Sequence, residues 1–402
     1  MKRITIFTIA LLLGSAFSLK AQLIIPTDER FLIDSLTKQQ LVESLNRFLV
    51  QKEGPNRANT CVLKSDLPAM SALLDEMKGM DKKVKLKDEH FYKPVLENIV
   101  DEGNNNFLVQ LNYMGSADGL PMLRASFRIM AKKDDGKFYF FSVLARNTIA
   151  WKVKKIDFIN FHFKDTLNIS EAKACLKFVE ACNRRLKVAP EPIAYYECDN
   201  FPEVLQVLGV DYKSNYTGIR YNALTAHENG ATVEINGGYT ENFRFDRHDL
   251  WHDRLHMVLS TDKINRPVDE GCAYLYGGSW GTPWPEVLAI FKKYAADHPD
   301  ADWLKLYHGN VRFNADAQKP FYVAYFINAL IVQKIENEKG FAPVMELLGC
   351  GKRQEDEENY FKALEKVSGI GKGDFNKVVW GTVKKGLGLN RYSAPLSEFR
   401  NN

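Results

Sequence analysis

The sequence lacks the charge and hydropathy patterns that mark several large classes of protein. Its 54 basic and 50 acidic residues leave a net charge of only +4, and neither sign forms a long run. Bulk electrostatics therefore predicts neither a nucleic-acid partner nor an anionic membrane partner. After the first 21 residues, no apolar stretch reaches the roughly 20 residues that span a bilayer. We expect no integral membrane segment in the mature chain.

Cysteine is also scarce, and its spacing excludes one common type of metal site. The chain has six cysteines, and no two of them form a C-x-x-C pair. Structural zinc ribbons are built on such pairs, so we do not expect one here. An even number of cysteines in an exported chain permits disulfides, but the sequence assigns no pairing. Most of these residues are predicted to be buried free thiols.

The amino-terminal stretch has the composition of a targeting segment. Lys2 and Arg3 precede a mostly apolar run from Ile4 to Phe17, and the small residue Ala21 precedes Gln22. This order of basic, apolar and small residues is typical of a secretory signal peptide. The sequence therefore predicts a signal peptide at residues 1–21 and a secreted or periplasmic mature protein.

Residues 22–155 are predicted to form an α+β domain with an antiparallel sheet. Apolar residues recur at three and four positions between Phe31 and Met80, which predicts helices. The period then changes to short, partly alternating segments rich in β-branched and aromatic residues. These predicted strands are Phe107–Tyr113, Met122–Lys133, Lys137–Ala145 and Ala150–Lys155.

Residues 156–402 are predicted to form a second domain with a mixed sheet and a helical carboxy-terminal subdomain. Residues 156–164 alternate like a strand, and a helix capped by Ser170 is predicted to follow. Later segments have helical periodicity at Trp284–Ala296 and from Pro320 to Glu338. The chain as a whole therefore belongs to the α+β class.

The stretch between these two groups of elements carries a candidate metal site. His252 and His256 are four residues apart, so an α-helix places both imidazoles on one face, one turn apart. Glu270 follows on a second predicted helix. Two histidines and a glutamate with an open fourth position are the ligands expected of catalytic zinc. A second register, with His248 and His252 as the histidine pair and Asp249 as base, matches the same string. We prefer the later register, because Met257, Val258 and Leu259 follow His256 as buried positions normally follow the second ligand.

Two short motifs in this stretch resemble those of a known group of enzymes. The segment HDRLH at His252–His256 is similar to the HExxH helix of zinc metallopeptidases, and DEGCAY at Asp269–Tyr274 resembles the glutamate helix of the gluzincin clan. More narrowly, the chain resembles peptidase MA-like families of secreted bacterial proteins. The resemblance covers roughly residues 157–388. It implies a gluzincin-like metallopeptidase domain with Zn²⁺ bound by His252, His256 and Glu270.

The same resemblance implies roles for further residues. Asp253 stands where the family has its catalytic glutamate, and its side chain is one methylene shorter. Tyr322 and Tyr325 are candidates for stabilising the oxyanion, because related enzymes take a tyrosine or histidine from a following helix. Tyr274 occupies the position of a polar residue that supports a ligand histidine in many gluzincins. Asp269 either replaces that support or only caps its helix.

Two functions are compatible with these features. The first is a secreted zinc metallopeptidase that hydrolyses a peptide or protein substrate by zinc-activated water, with Asp253 as general base. The alternative is a peptidase-like protein that is catalytically weak or inactive and binds a peptide or glycan outside the cytoplasm. The shorter aspartate motivates the alternative, because proton transfer depends steeply on the reach of the base.

Overall fold

A computed structural model describes residues 23–26, 31–214, 223–238, 245–316 and 319–385 of the chain. The predicted signal peptide at residues 1–21 lies outside these ranges. Within them, no helix is both long enough and apolar enough to cross a membrane.

Helices and strands follow one another along the described residues in an α+β arrangement. The helices are α1 (Ser35–Gln51), α2 (Leu67–Met77), α3 (Leu144–Asn147), α4 (Ile169–Leu186), α5 (Phe201–Leu208), α6 (Arg247–His256), α7 (Arg266–Gly277), α8 (Trp284–Asp297), α9 (Trp303–His308), α10 (Val323–Lys339), α11 (Ala342–Leu348), α12 (Glu358–Ser368) and α13 (Phe375–Lys385). The strands are β1 (Lys93–Gly103), β2 (Asn106–Ala117), β3 (Leu120–Asp134), β4 (Lys137–Phe141), β5 (Lys152–Ile156), β6 (Ile159–Phe163), β7 (Ile193–Glu197), β8 (Val210–Lys213), β9 (Ala223–Glu228) and β10 (Ala231–Asn236).

The described chain divides into two compact units. The first runs to Trp151 and also includes the later segment Pro202–Val233. The second comprises Lys152–Phe201 and the residues from Glu234 onward. The first unit is therefore discontinuous in sequence, because Pro202–Val233 belongs to it although these residues follow the start of the second unit.

The first unit is built on an antiparallel sheet in the order β1-β2-β3-β4. Strand β3 is long enough to pair with two partners along one edge: its residues Ala125–Phe127 pair with β8, and Met130–Asp134 pair with β4. Residues of β2 pair along its other edge. A turn at Asp135-Gly136, with both residues at positive φ, joins β3 to β4 as expected for a short hairpin.

Two helices cover this sheet and close the core of the first unit. Helices α1 and α2 both contact β4 of this sheet, and α2 also contacts β9. The α1 face that carries Leu41, Leu45 and Phe48 is fully buried, and the Phe48 ring lies 4.9 Å from that of Phe140. Asp34 caps α1 by accepting a hydrogen bond from the Thr37 backbone, which fixes where the helix begins.

The second unit contains a mixed sheet with a crossover helix. Strands β5 and β6 form an antiparallel hairpin, whereas β6 and β7 are parallel and are connected by α4. The end of β10 lies beside the end of β7, where the Cys198 backbone donates to the Asn236 carbonyl. The cap of α4 is Asn168, whose side chain accepts from the Glu171 backbone, so the prediction that Ser170 caps this helix is wrong.

Helices form most of the second unit after β10. Helix α7 packs against α6, α8, α10 and α11, so it lies at the centre of this group. The surrounding core is rich in aromatic side chains; for example, the rings of Phe291 and Phe326 stack at 3.8 Å. The predicted long helix after Pro320 is present as α10, which begins at Val323. All six cysteines are described, and all are free thiols.

Candidate metal centre

Helix α6 begins where the sequence supplies a strong cap. Asp246 has an extended backbone conformation, and its carboxylate accepts a hydrogen bond from the His248 backbone N–H at 2.9 Å. A carboxylate at this position satisfies an otherwise unpaired helix donor and interacts favourably with the helix dipole. Because the helix starts there, His248 lies in its first turn and His252 in the next, on the same face.

Helix α7 is defined by a proline at its start and glycines at its end. Pro267 lies in the first turn, where its missing N–H leaves no helical hydrogen bond unmade. Gly278 ends the helix at φ 81°, a conformation that favours glycine, and its N–H donates to the Tyr274 carbonyl. The helix therefore carries Asp269 and Glu270 in its first half and stops beside the start of α6.

The two helices approach so closely that a side chain could not fit between them at one point. A Cβ atom built on Gly277 would lie 2.6 Å from the backbone of Arg247 and of His248. Contacts below about 3 Å to backbone atoms cannot be relieved by a side-chain rotation. The glycine therefore permits the direct backbone contact that brings the first turn of α6 to the end of α7.

This packing brings His248, His252 and Glu270 together. One ligand atom of each residue lies within 4.8 Å of those of the other two, and the group could hold a metal ion. His248 Nε2 is 3.5 Å from Glu270 Oε2, and the two imidazole rings are 4.9 Å apart. Their side chains are only 12–20% exposed. Two imidazoles and one carboxylate thus face a shared point in a largely enclosed environment.

Hydrogen bonds fix which nitrogen of each histidine faces this point. His248 Nδ1 is 2.8 Å from the Gly278 carbonyl oxygen, and His252 Nδ1 is 2.9 Å from Asp269 Oδ2. A carbonyl and an ionised carboxylate can only accept, so each Nδ1 donates. In the neutral imidazole the Nε2 lone pair is then available as a ligand. This arrangement, in which the second ring nitrogen is held by an acceptor, is typical of metal-binding histidines.

Asp269 holds two residues of α6 at once. Its Oδ2 accepts from His252, and its Oδ1 accepts from Trp251 Nε1 at 3.0 Å. Asp269 is only 5% exposed and Trp251 is fully buried. Both carboxylate oxygens are therefore engaged, and the carboxylate cannot rotate without losing one of two buried hydrogen bonds.

The charges of the group favour an ionised Glu270 in spite of burial. Burial alone would raise the pKa of Glu270, but the hydrogen bond from His248 and the charges of His252 and Arg266 lower it to about 2. Burial would lower the pKa of His252, but the Asp269 carboxylate overrides this effect and raises the pKa to about 9. A metal ion would therefore compete with protons for these ligands.

Asp249 follows the first histidine of this group directly. Burial and the neighbouring Asp246 carboxylate raise the pKa of Asp249 to about 7, while His248 and His252 act in the opposite direction. A carboxylate whose pKa lies near neutrality can both accept and release a proton.

His256 and Asp253, both predicted site residues, lie elsewhere on α6. His256 is exposed at the last position of the helix and does not belong to the converging group, whose second histidine is His248. Asp253 is half-buried. Burial, reinforced by the Asp253 charge, raises the pKa of Glu234 on β10 well above its ordinary range. The charge of Asp253 thus acts on the buried carboxyl of a neighbouring strand.

Both predicted tyrosines lie at the start of α10, and Tyr325 is linked to Glu270 through Arg266. The ring of Tyr325 is 5.2 Å from that of Tyr322, and the Tyr325 hydroxyl is hydrogen-bonded to Arg266. Arg266 in turn contacts Glu270 Oε1 at 3.2 Å. Burial and the charge of Glu270 raise the pKa of Tyr325, so its phenol is protonated at neutral pH. Of the two tyrosines, Tyr325 is the one whose protonation is influenced by Glu270.

Some contacts of this centre could not be found from the sequence. The Gly278 carbonyl and the Asp269–Trp251 hydrogen bond depend on how α6 and α7 meet, and a backbone carbonyl leaves no signature in residue type. The contact of Arg266 was detectable in the sequence, because Arg266 lies four residues before Glu270 and such pairs share a helix face.

Comparison with known protein families and with curated proteins finds no match for this chain.

Proposed function

We propose that His248, His252 and Glu270 bind Zn²⁺ and that the protein is a zinc-dependent peptidase exported by its amino-terminal signal peptide. The observation that carries this proposal is the convergence of three ligand atoms, two of them on histidines whose Nδ1 atoms are already engaged. Two imidazoles and a carboxylate with a further open position are the donor set of catalytic rather than structural zinc. The gluzincin-like architecture and the peptide substrate belong to the same proposal.

The residues around the ligands have chemical roles in this proposal. Bound zinc would supply a Lewis acid that acidifies a water molecule and polarises the scissile carbonyl. Asp249 accepts the proton of the attacking water and delivers it to the leaving amine, because it follows His248 and titrates near neutrality. Tyr325, kept protonated by burial, donates a hydrogen bond to the developing oxyanion.

The choice of Asp249 follows from the choice of the histidine pair. If His252 and His256 were the ligands, Asp253 would be the residue beside the first histidine. The exposure of His256 and the position of His248 favour the earlier pair. In both registers the base is an aspartate, whose carboxylate reaches about 1.5 Å less far than that of glutamate.

Metal analysis of variants tests this proposal. Purified wild-type protein should contain one zinc ion per chain, and His248→Ala or Glu270→Gln should lose it. His256→Ala is the matched control, because it removes an exposed histidine from the same helix, and it should retain the metal. A wild type without zinc would refute the proposal. Loss of zinc from His256→Ala but not from His248→Ala would establish the later register instead.

A second candidate function follows from the short base. The protein could bind zinc and a peptide without hydrolysing the peptide, because aspartate occupies the base position in either register. Assays of a peptide library with wild type, Asp249→Asn and Asp249→Glu separate the two. Hydrolysis by wild type that is lost in Asp249→Asn supports the enzyme. Hydrolysis only by Asp249→Glu supports a binding protein with lapsed catalysis.

A further inference from the structure

The segment between α2 and β1 exposes apolar side chains among lysines. It reads Lys83-Val84-Lys85-Leu86-Lys87, and it forms a 3₁₀ turn over Val84–Leu86. Val84 is 84% exposed and Leu86 is 58% exposed. The loop is nevertheless fixed at its base, where the Lys83 backbone donates to the Asp88 carbonyl at 2.8 Å. These aliphatic side chains are thus presented by a closed loop.

The tip of the β2–β3 hairpin extends this surface. Lys83 Nζ contacts Met122 Sδ at 3.5 Å, so the loop lies along the start of β3. Leu120 is two residues before Met122 and therefore shares its face of the strand; it is 68% exposed. Three large aliphatic side chains, Val84, Leu86 and Leu120, are therefore exposed at one end of the first unit.

We define this surface as the lysine–aliphatic patch, formed by Val84, Leu86, Leu120, Lys85 and Lys87. Isolated exposed aliphatic residues are ordinary, but groups of them on one surface indicate an interaction site. Each aliphatic residue of the loop has a lysine on both sides in sequence. Lysine is depleted in the buried centres of protein interfaces, which argues against a protein partner.

We propose that the lysine–aliphatic patch binds the surface of a lipid bilayer that contains anionic lipids. Aliphatic side chains can enter the boundary between headgroups and acyl chains, while the flexible lysine stems keep their ammonium groups among the phosphates. The local charge of the patch is positive. Lys82 is paired with Glu89 at 2.7 Å, and Lys83, Lys85 and Lys87 then outnumber the nearby Asp88 and Asp118.

Vesicle sedimentation tests this proposal. The chain from Gln22 is used, because the apolar residues before it would bind lipid themselves. It should sediment with vesicles of phosphatidylcholine and phosphatidylglycerol in equal parts, and much less with phosphatidylcholine alone. The double variant Val84→Ser, Leu86→Ser should bind at least about tenfold more weakly. Added salt should weaken binding to the mixed vesicles.

Ile149→Ser is the matched control for these variants. Ile149 is 85% exposed, as much as Val84, but it lies outside the patch. It should bind the mixed vesicles as wild type does. Absence of binding by wild type, equal binding by the Val84→Ser, Leu86→Ser variant, or an equal loss in Ile149→Ser would each overturn the proposal. Zinc content should be the same in all of these proteins.

Discussion

Two groups of enclosed charged side chains, one in each unit, differ in how their charges are satisfied. In the first unit, the Lys52 ammonium is 2% exposed and contacts Asp81 at 2.5 Å and also the Glu53 carboxylate. In the second unit, the ligand atoms of His248, His252 and Glu270 face one another, while the outer atoms of both histidines are engaged elsewhere.

The difference separates a structural group from a ligand-binding one. A buried cation that already has two carboxylate partners gains nothing from a further ion. Lone pairs that converge on one point, on histidines whose other ring nitrogens are already hydrogen-bonded, are arranged to coordinate a cation. Lys52, Asp81 and the three ligand residues are all largely enclosed, so the direction of the donor atoms is the informative property.

The largest expected effect comes from breaking the structural group. Lys52→Met would leave the 11%-exposed Asp81 carboxylate without its cation, and we expect the free energy of unfolding to fall by about 3–5 kcal/mol. Urea denaturation measures this change. The double variant Lys52→Met, Asp81→Leu should recover part of the loss, and zinc affinity should be unchanged. If Lys52→Met lost zinc but kept normal stability, the assignment of Lys52 to a structural group would be contradicted.

A smaller effect is expected from the outer contacts of the metal site. In Asp269→Asn the amide can accept from Trp251 or from His252 through its single oxygen, so one of the two buried donors loses its acceptor. We expect zinc affinity to fall about 10–100-fold, as competition with a chelating dye would measure. Asp262→Asn alters an exposed carboxylate between the same two helices and should leave the affinity unchanged. Equal affinities for wild type and Asp269→Asn would contradict the orienting role.

The smallest effect concerns Asp66, a half-buried carboxyl group that forms no ion pair among the described residues. Burial raises its pKa to about 7, although the Ser142 backbone donates to it at 2.6 Å. Because the folded pKa lies above the ordinary value of 3.8, the folded state binds the proton more tightly, and stability falls as pH rises from about 4 to 7.

Asp66→Asn should therefore stabilise the protein by about 1–2 kcal/mol at pH 8, because no charge is then buried. The gain should be smaller at pH 5, where part of the wild-type penalty has not yet developed. Urea denaturation at both pH values measures it. Glu43→Gln, at an exposed position of α1, should show no such dependence. A gain that is equal at both pH values would indicate a packing effect instead.

The sequence predicts which residue types converge better than it predicts which histidine pair does. Histidines four residues apart and a glutamate on the next helix are local patterns, and they identified His252 and Glu270, which the structure brings together. The string HDLWHDRLH contains the spacing twice, so spacing alone cannot choose between His248 and His256. The choice depends on the contact of α6 with the end of α7, which is made between residues distant in sequence.

The fold shows the same limit of local information. The predicted α+β class is present, and α8 and α10 lie close to their predicted ranges. Strand β1 is not among the predicted strands, because its second residue is Pro94, which weakens a strand pattern, and its end is acidic. The inclusion of residues 202–233 in the first unit depends on contacts such as those between α2 and β9. Such pairings leave no periodic signal in either segment.

The close approach at Gly277 has a consequence for how the sequence can vary. Even a methyl group at position 277 would displace the backbone of His248. The short distance between the two ligand-bearing helices therefore requires glycine at this position. Among sequences that share this centre, we expect Gly277 to be conserved in every sequence that conserves His248. The residue at position 256 should vary. An alignment could therefore distinguish the two histidine registers without any measurement of metal.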